Sequence, residues 1–135
     1  LLAMTSEVMR LLGKIKLQQG HPRLLRQSAE GHVMETVEFM QRHLNMLLTL
    51  GDLAARSGQS VSYYSKLFKQ RTGQSPLAYF IQLKIRKACE LLDQPEMSLR
   101  EIAAELGYSD PYYFSRLFKK VQGCAPSVYR QSVKG

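Results

Sequence analysis

The chain has 135 residues, 44% of them hydrophobic and 22% charged, which allows one compact domain or two very small ones and is too apolar for a disordered chain. No apolar run approaches the ~18–20 residues of a membrane-spanning helix, and no secretory leader pattern is visible, so no membrane partner is expected. The 19 Lys and Arg outnumber 11 Asp and Glu, for a net charge of +8, and residues 51–135 hold 13 of the bases against 7 of the acids; such a basic half points to a polyanionic partner, most often nucleic acid.

The chain opens on Leu1 rather than Met, as expected of a piece whose natural N-terminal part is missing. Met4, Val8, Leu11, Leu12 and Ile15 follow helical spacing up to the break at Gly20-His21-Pro22. From about His32 to Asn45, the residues Val33, Val37, Met40 and Leu44 form one face of a second helix. Thr49 caps a short helix through Ala55, with Asp52 at its third position and Gly58 just past its end. Ser60 or Ser62 caps the next, whose Tyr64, Leu67 and Phe68 share a face and which stops at Gly73. Ser75-Pro76 opens a long helix carrying Tyr79, Phe80, Leu83, Ala88, Leu91 and Leu92 and ending before Pro95. Ser98 with Glu101 forms a capping box for a helix to Leu106. Asp110-Pro111 starts another, with Phe114, Leu117, Phe118 and Val121, ended by Gly123, and Pro126 opens a last helix with Val128 and Tyr129. Strand signals are almost absent, so the fold class is all-α.

An internal repeat organises these helices. Leu53-Ala54-Ala55 and Gly58 return 49 residues later as Ile102-Ala103-Ala104 and Gly107. Tyr63-Tyr64-Ser65-Lys66-Leu67-Phe68-Lys69 returns 50 residues later as Tyr113-Phe114-Ser115-Arg116-Leu117-Phe118-Lys119, and Gly73, Pro76 and Tyr79 return as Gly123, Pro126 and Tyr129. Each unit pairs a short helix bearing two small alanines with a glycine turn and a second, basic helix, which is the helix-turn-helix pattern. The apolar stripes leave Ser62, Ser65, Lys66 and Lys69 outward in the first unit, and Pro111, Tyr112, Ser115, Arg116 and Lys119 in the second. Lys120 follows and, if the partner is nucleic acid, is expected to behave as a phosphate contact. A helix reading the major groove needs small or hydrogen-bonding residues near its start, cations on its flank and no carboxylate facing phosphate. The plain alternative is a solvated basic face, which a duplicated unit makes less economical.

Nothing marks an enzyme: no Gly-rich phosphate loop, no close carboxylate pair on one face and no nucleophile–base constellation is present. Cys89 and Cys124 lack metal-ligand spacing and read as reduced thiols of a cytoplasmic protein, and His21, His32 and His43 have no ligand cluster beside them. No cofactor, metal or catalytic residue is expected. A competing reading is a helical protein-interaction module whose basic helices bind an acidic partner.

The run Gly107-Tyr108-Ser109-Asp110-Pro111-Tyr112-Tyr113-Phe114-Ser115-Arg116-Leu117-Phe118-Lys119-Lys120, followed by Gly123, Pro126 and Tyr129-Arg130, resembles the signature of AraC/XylS-type transcription regulators. The first unit and the long helix, with Tyr79, Leu83-Lys84-Ile85, Ala88 and Leu91-Leu92, resemble the rest of that DNA-binding domain, over about residues 32–132. The resemblance implies about seven helices: two helix-turn-helix units (32–74 and 95–135) joined by a linking helix (75–94), the whole forming a DNA-binding domain over 32–135. It places base-reading sites on Ser62, Ser65 and Lys66 and on Pro111, Tyr112, Ser115 and Arg116. It also implies a bacterial regulator, activator or repressor, with a double-stranded operator and RNA polymerase as partners. Residues 1–31 then read as the tail of a missing N-terminal sensing and dimerising domain or as a linker, with Gln18–Ser28 the linker proper. From Pro76 to Gln94 the linking helix spans about 28 Å, near enough to the ~34–36 Å of one duplex turn for two adjacent grooves to be reached. The sequence departs from the family pattern in two places. Ala125 replaces the usual capping Ser, a cap worth about 0.5–2 kcal/mol, and the first recognition helix shows only small residues at Ser62 and Ser65.

Overall fold

The computed structural model describes residues 29–134. The stripe from Met4 to Ile15, the proposed linker and His21 lie outside the described residues. Among those described, the elements are all helical: α1 Ala29–Arg42, α2 Leu50–Ser57, α3 Val61–Thr72, α4 Pro76–Leu92, α5 Leu99–Glu105, α6 Pro111–Gln122 and α7 Pro126–Lys134.

Most ends are set by short-range hydrogen bonds that the sequence announces. Thr49 Oγ1 accepts the Asp52 N–H at 3.1 Å while the Asp52 carboxylate accepts the Thr49 N–H at 2.9 Å, a reciprocal box that starts α2. The Thr49 backbone N–H, and after it the Thr49 hydroxyl, hold the Asp52 carboxyl below the usual carboxylate range. Ser98 and Glu101 do the same for α5. Ser60, not Ser62, caps α3. Asp110 accepts the Tyr112 N–H at 2.9 Å and is followed by Pro111, whose fixed φ and missing N–H suit the first helical position. The linking helix is two residues shorter than expected. Asp93 and Gln94 close tight turns back to Glu90 and Leu91, and Pro95 disfavours helical backbone at the residue before it.

Two compact units result. In the first, α1–α3 and the opening turn of α4 enclose Val33, Val37 and Met40 of α1, Leu53 and Ala54 of α2, Tyr64, Leu67 and Phe68 of α3, and Tyr79. Burial pushes the Tyr64 hydroxyl up to about 12. It donates to Thr36 Oγ1 at 3.0 Å, which in turn donates to the His32 carbonyl at 3.0 Å, so a polar chain crosses the apolar packing without an unpaired group.

The second unit is built on Ile85, Ala88 and Leu92 of α4, Ile102, Ala103 and Leu106 around α5, and Phe114 and Phe118 of α6. It also takes in the segment His43–Leu47. Leu44, expected on the stripe of the preceding helix, therefore lies beyond the end of α1 and packs on the second core instead.

The repeat is expressed in three dimensions. Gly58 and Gln59 return their N–H groups to the carbonyls of Ala55 and Ala54, and Gly107 and Tyr108 return theirs to Ala104 and Ala103, the same paired helix stop in both units. Gly73 and Gly123 each bond the carbonyl 4 residues back, Lys69 and Lys119, at 2.8 Å. Phe68 meets Tyr79 edge-on at 5.5 Å, and Phe118 meets Tyr129 edge-on at 5.9 Å. Such edge-to-face pairs add about 0.5–1.5 kcal/mol beyond area burial.

Candidate nucleic-acid interface

The second helix of each unit presents the candidate surface. On α3 the core side is Tyr64, Leu67, Phe68 and Thr72, and on α6 it is Phe114 and Phe118 with Leu117 half-buried. The opposite side of α3 exposes Ser62, Lys66 and Lys69, and that of α6 exposes Tyr112, Arg116, Lys119 and Lys120. Neither helix has an acidic residue in its body, so no carboxylate opposes a polyanion along either flank. Pro111 and Ser115 are half-buried at the margin of α6.

Ser65 departs from the expected outward position. Its Oγ is buried and has no hydrogen-bond partner among the described residues. The reason lies in the helix period: Ser65 sits seven residues, about two turns, before the fully buried Thr72 and therefore on nearly the same side. Its repeat mate Ser115 has the half-buried Gln122 seven residues on and keeps a marginal place.

Two aromatic side chains on these helices were absent from the expected set. Tyr63 is exposed, and Tyr113 lies against Tyr108 with ring centroids 5.9 Å apart. Burial and the neighbouring Tyr113 push the Tyr108 hydroxyl up to about 12. At the end of α3, Arg71 pairs with Glu30 of α1 at 3.3 Å, which ties part of the local positive charge into the unit.

The turn before α6 is held by Lys84, from the Leu83-Lys84-Ile85 run of the linking helix. Lys84 is only 1% exposed, and its ammonium donates to the carbonyls of Leu44, Met46 and Leu106 at 2.8, 2.6 and 2.5 Å. The rings of Phe80 and Tyr108 stand 4.7 and 5.1 Å from Nζ. Three donors meet three acceptors, so the segment 43–47 is strapped to the turn before α6. Burial pushes the Lys84 amine down to about 8. A signal was available: Lys84 lies four residues from both Phe80 and Ala88, on the apolar stripe of its helix, where a lysine must find partners. Arg130 of α7 plays a similar part, donating to the carbonyls of Leu92, the last residue of α4, and of Gln94 and Met97 beyond it.

His32 is half-buried and joined to the Gln59 side chain at 2.9 Å. Among the described residues no group of three His, Cys, Asp or Glu side chains is placed to hold a metal ion, and no helix is long and apolar enough to cross a membrane.

Comparison with known proteins agrees with this architecture. The family model described as a helix-turn-helix domain matches residues 53–132. The MmsAB operon regulatory protein of Pseudomonas aeruginosa is 44% identical over 96 residues, covering 71% of this chain and 31% of that protein. The C-terminal domain of AraT, a response regulator from Geobacillus stearothermophilus, superposes with a TM-score of 0.71 at 34% identity, over 75% of this chain and 84% of that one. The DNA-binding domain of AdpA, a global transcriptional factor solved with a target DNA, does so with a TM-score of 0.69 at 28% identity, over 74% and 90%. The chain spans less than half the length of the curated relatives it matches. A family match over more than half of the chain, two helix-turn-helix units with equivalent cores, and the likeness to these regulators lead to one conclusion: the chain belongs to the AraC/XylS-type helix-turn-helix family.

Proposed function

We propose that this chain binds double-stranded DNA sequence-specifically and regulates transcription, with α3 and α6 entering adjacent major grooves. The observation that carries the reading is the duplicated outward face: Lys66 and Lys69 on one helix and Arg116, Lys119 and Lys120 on the other, exposed and without an acidic neighbour in either helix. The naming of similar chains as operon and transcription regulators, and the AdpA domain solved on its target DNA, support it. On this reading Ser62, Tyr112 and Arg116 face base edges, Pro111 and Ser115 flank them, and Lys69, Lys119 and Lys120 track phosphates. Ser65 reaches the duplex only if its side chain turns outward on binding. The protein acts by binding rather than by catalysis, in the cytoplasm, with RNA polymerase as partner and with whole chains paired through an N-terminal domain.

The test is a titration of the 135-residue chain with duplexes of about 20 bp recovered from a randomised pool, between about 50 and 200 mM salt. Phosphate tracking predicts an affinity that falls roughly tenfold or more across that range as counterions are taken up again. Binding independent of salt, or binding to acidic peptides with no shift on duplex DNA, refutes the proposal and returns the protein-interaction reading.

A further inference from the structure

We propose that the two units divide the work on DNA: α6 discriminates sequence through Arg116 and Tyr112 on a guanine-containing block, while α3 holds the duplex with little sequence preference. This rests on the DNA-binding reading above and assigns different roles to its two helices.

The internal repeat supplies the comparison. At the same shift of 50 residues, Ser62 stands where Tyr112 stands, Lys66 where Arg116 stands, and Ser65 where Ser115 stands. The two units thus hold different chemistry in the same frame.

Arginine offers a planar fork that matches guanine O6 and N7 with two parallel hydrogen bonds. Lysine is a point charge on a flexible stem, well suited to phosphate and poorly able to impose such geometry. Serine hydroxyls donate and accept alike and so accommodate any base. Ser65 contributes less still, because its hydroxyl is buried in the first unit rather than presented to a groove.

Tyr112 argues in the same direction from the opposite side. Its side chain is 74% exposed, so the second unit does not use the ring for its own packing. The first unit builds an equivalent helix with exposed Ser62 at that position, so the fold does not require an aromatic residue there. A large ring on the first turn of α6, next to Arg116 one turn on, fits contact with a thymine methyl or a base edge in the groove. At the outward positions α3 carries Ser62, Lys66 and Lys69, which give charge and hydrogen bonding without selectivity, and its exposed Tyr63 has an exposed counterpart in Tyr113 of α6, so that ring does not distinguish the two helices.

The experiment is a base-by-base competition titration on a selected duplex at one fixed salt concentration, with the chain as it stands and two exposed-site variants checked by circular dichroism. The division predicts one block of about four base pairs, including a guanine, in which substitutions cost about five- to a hundredfold, and changes below about twofold elsewhere. Arg116→Lys, which keeps the charge, lowers the ratio of operator to scrambled affinity by about five- to a hundredfold. Lys66→Ala changes that ratio by less than about twofold while weakening both duplexes. Two blocks of equal weight, or a ratio that collapses for Lys66→Ala and survives Arg116→Lys, overturns the division and leaves DNA binding standing. Failure to bind any duplex instead overturns the function on which the division rests.

Discussion

Gly58 and Gly107 close the same turn in the two units, yet the structure assigns them unequal constraints. Both have left-handed backbone, with φ of 70° and 88°. A Cβ at Gly58 would meet nothing within 4 Å. One at Gly107 would lie 2.7 Å from the Asn45 carbonyl oxygen and 3.1 Å from its carbon, both backbone atoms. That backbone is poorly free to retreat, because the carbonyls on either side of it, of Leu44 and Met46, are held by the Lys84 ammonium.

The expected costs follow from these two terms. Left-handed backbone costs a residue with a Cβ about 1–2 kcal/mol, so Gly58→Ala should lose about that much. Gly107→Ala adds the loss of at least one charge-assisted hydrogen bond, about 1.5–3 kcal/mol, for a total of about 2.5–5 kcal/mol. Asparagine separates the terms, since it tolerates the left-handed region but still carries a Cβ. Gly58→Asn should be close to neutral, and Gly107→Asn should remain costly by about 1.5–3 kcal/mol. Urea unfolding followed by far-UV circular dichroism and tyrosine fluorescence measures all four variants. Equal costs for Gly58→Asn and Gly107→Asn would falsify the contact argument, because φ alone would then explain both positions.

Two further outcomes test the buried polar groups. Lys84→Met leaves the carbonyls of Leu44, Met46 and Leu106 without their shared donor. Relief from burying a charge offsets part of that loss, so the second unit should be destabilised by about 2–4 kcal/mol, and Lys84→Arg should recover part of it; a fully stable Lys84→Met protein in urea would show that the strap is dispensable. For Tyr64, a folded hydroxyl raised to about 12 makes its contribution complete below the ordinary value near 10 and progressively lost as pH rises through 12. The loss approaches about 2–3 kcal/mol, and unfolding curves taken from pH 9 to 12 should fall less steeply for Tyr64→Phe, unless the phenol titrates normally in the fold.

What could be read from the sequence was whatever depends on neighbours along the chain. Capping at Thr49, Ser98 and Asp110 and stopping at Gly58, Gly73 and Gly123 involve partners within a few residues, so helix positions followed almost directly. The duplication added the pairing of units, since Phe68 with Tyr79 and Phe118 with Tyr129 occupy one pattern twice. The tertiary structure decided the rest. Lys84 is bonded to residues 38 and 40 positions away in the chain, and Arg130 to carbonyls 33 to 38 positions away. No local periodicity records such partners, and so the stripe of Val33, Val37 and Met40 runs on to Leu44 in the sequence although Leu44 lies past α1 and packs on the second core. Ser65 fell between these cases: its register was visible, but only the packing around Thr72 showed that the α3 core face was wide enough to take in its hydroxyl. Local hydrogen bonds determine where helices start and stop, whereas burial of a marginal side chain depends on what the rest of the fold brings against it.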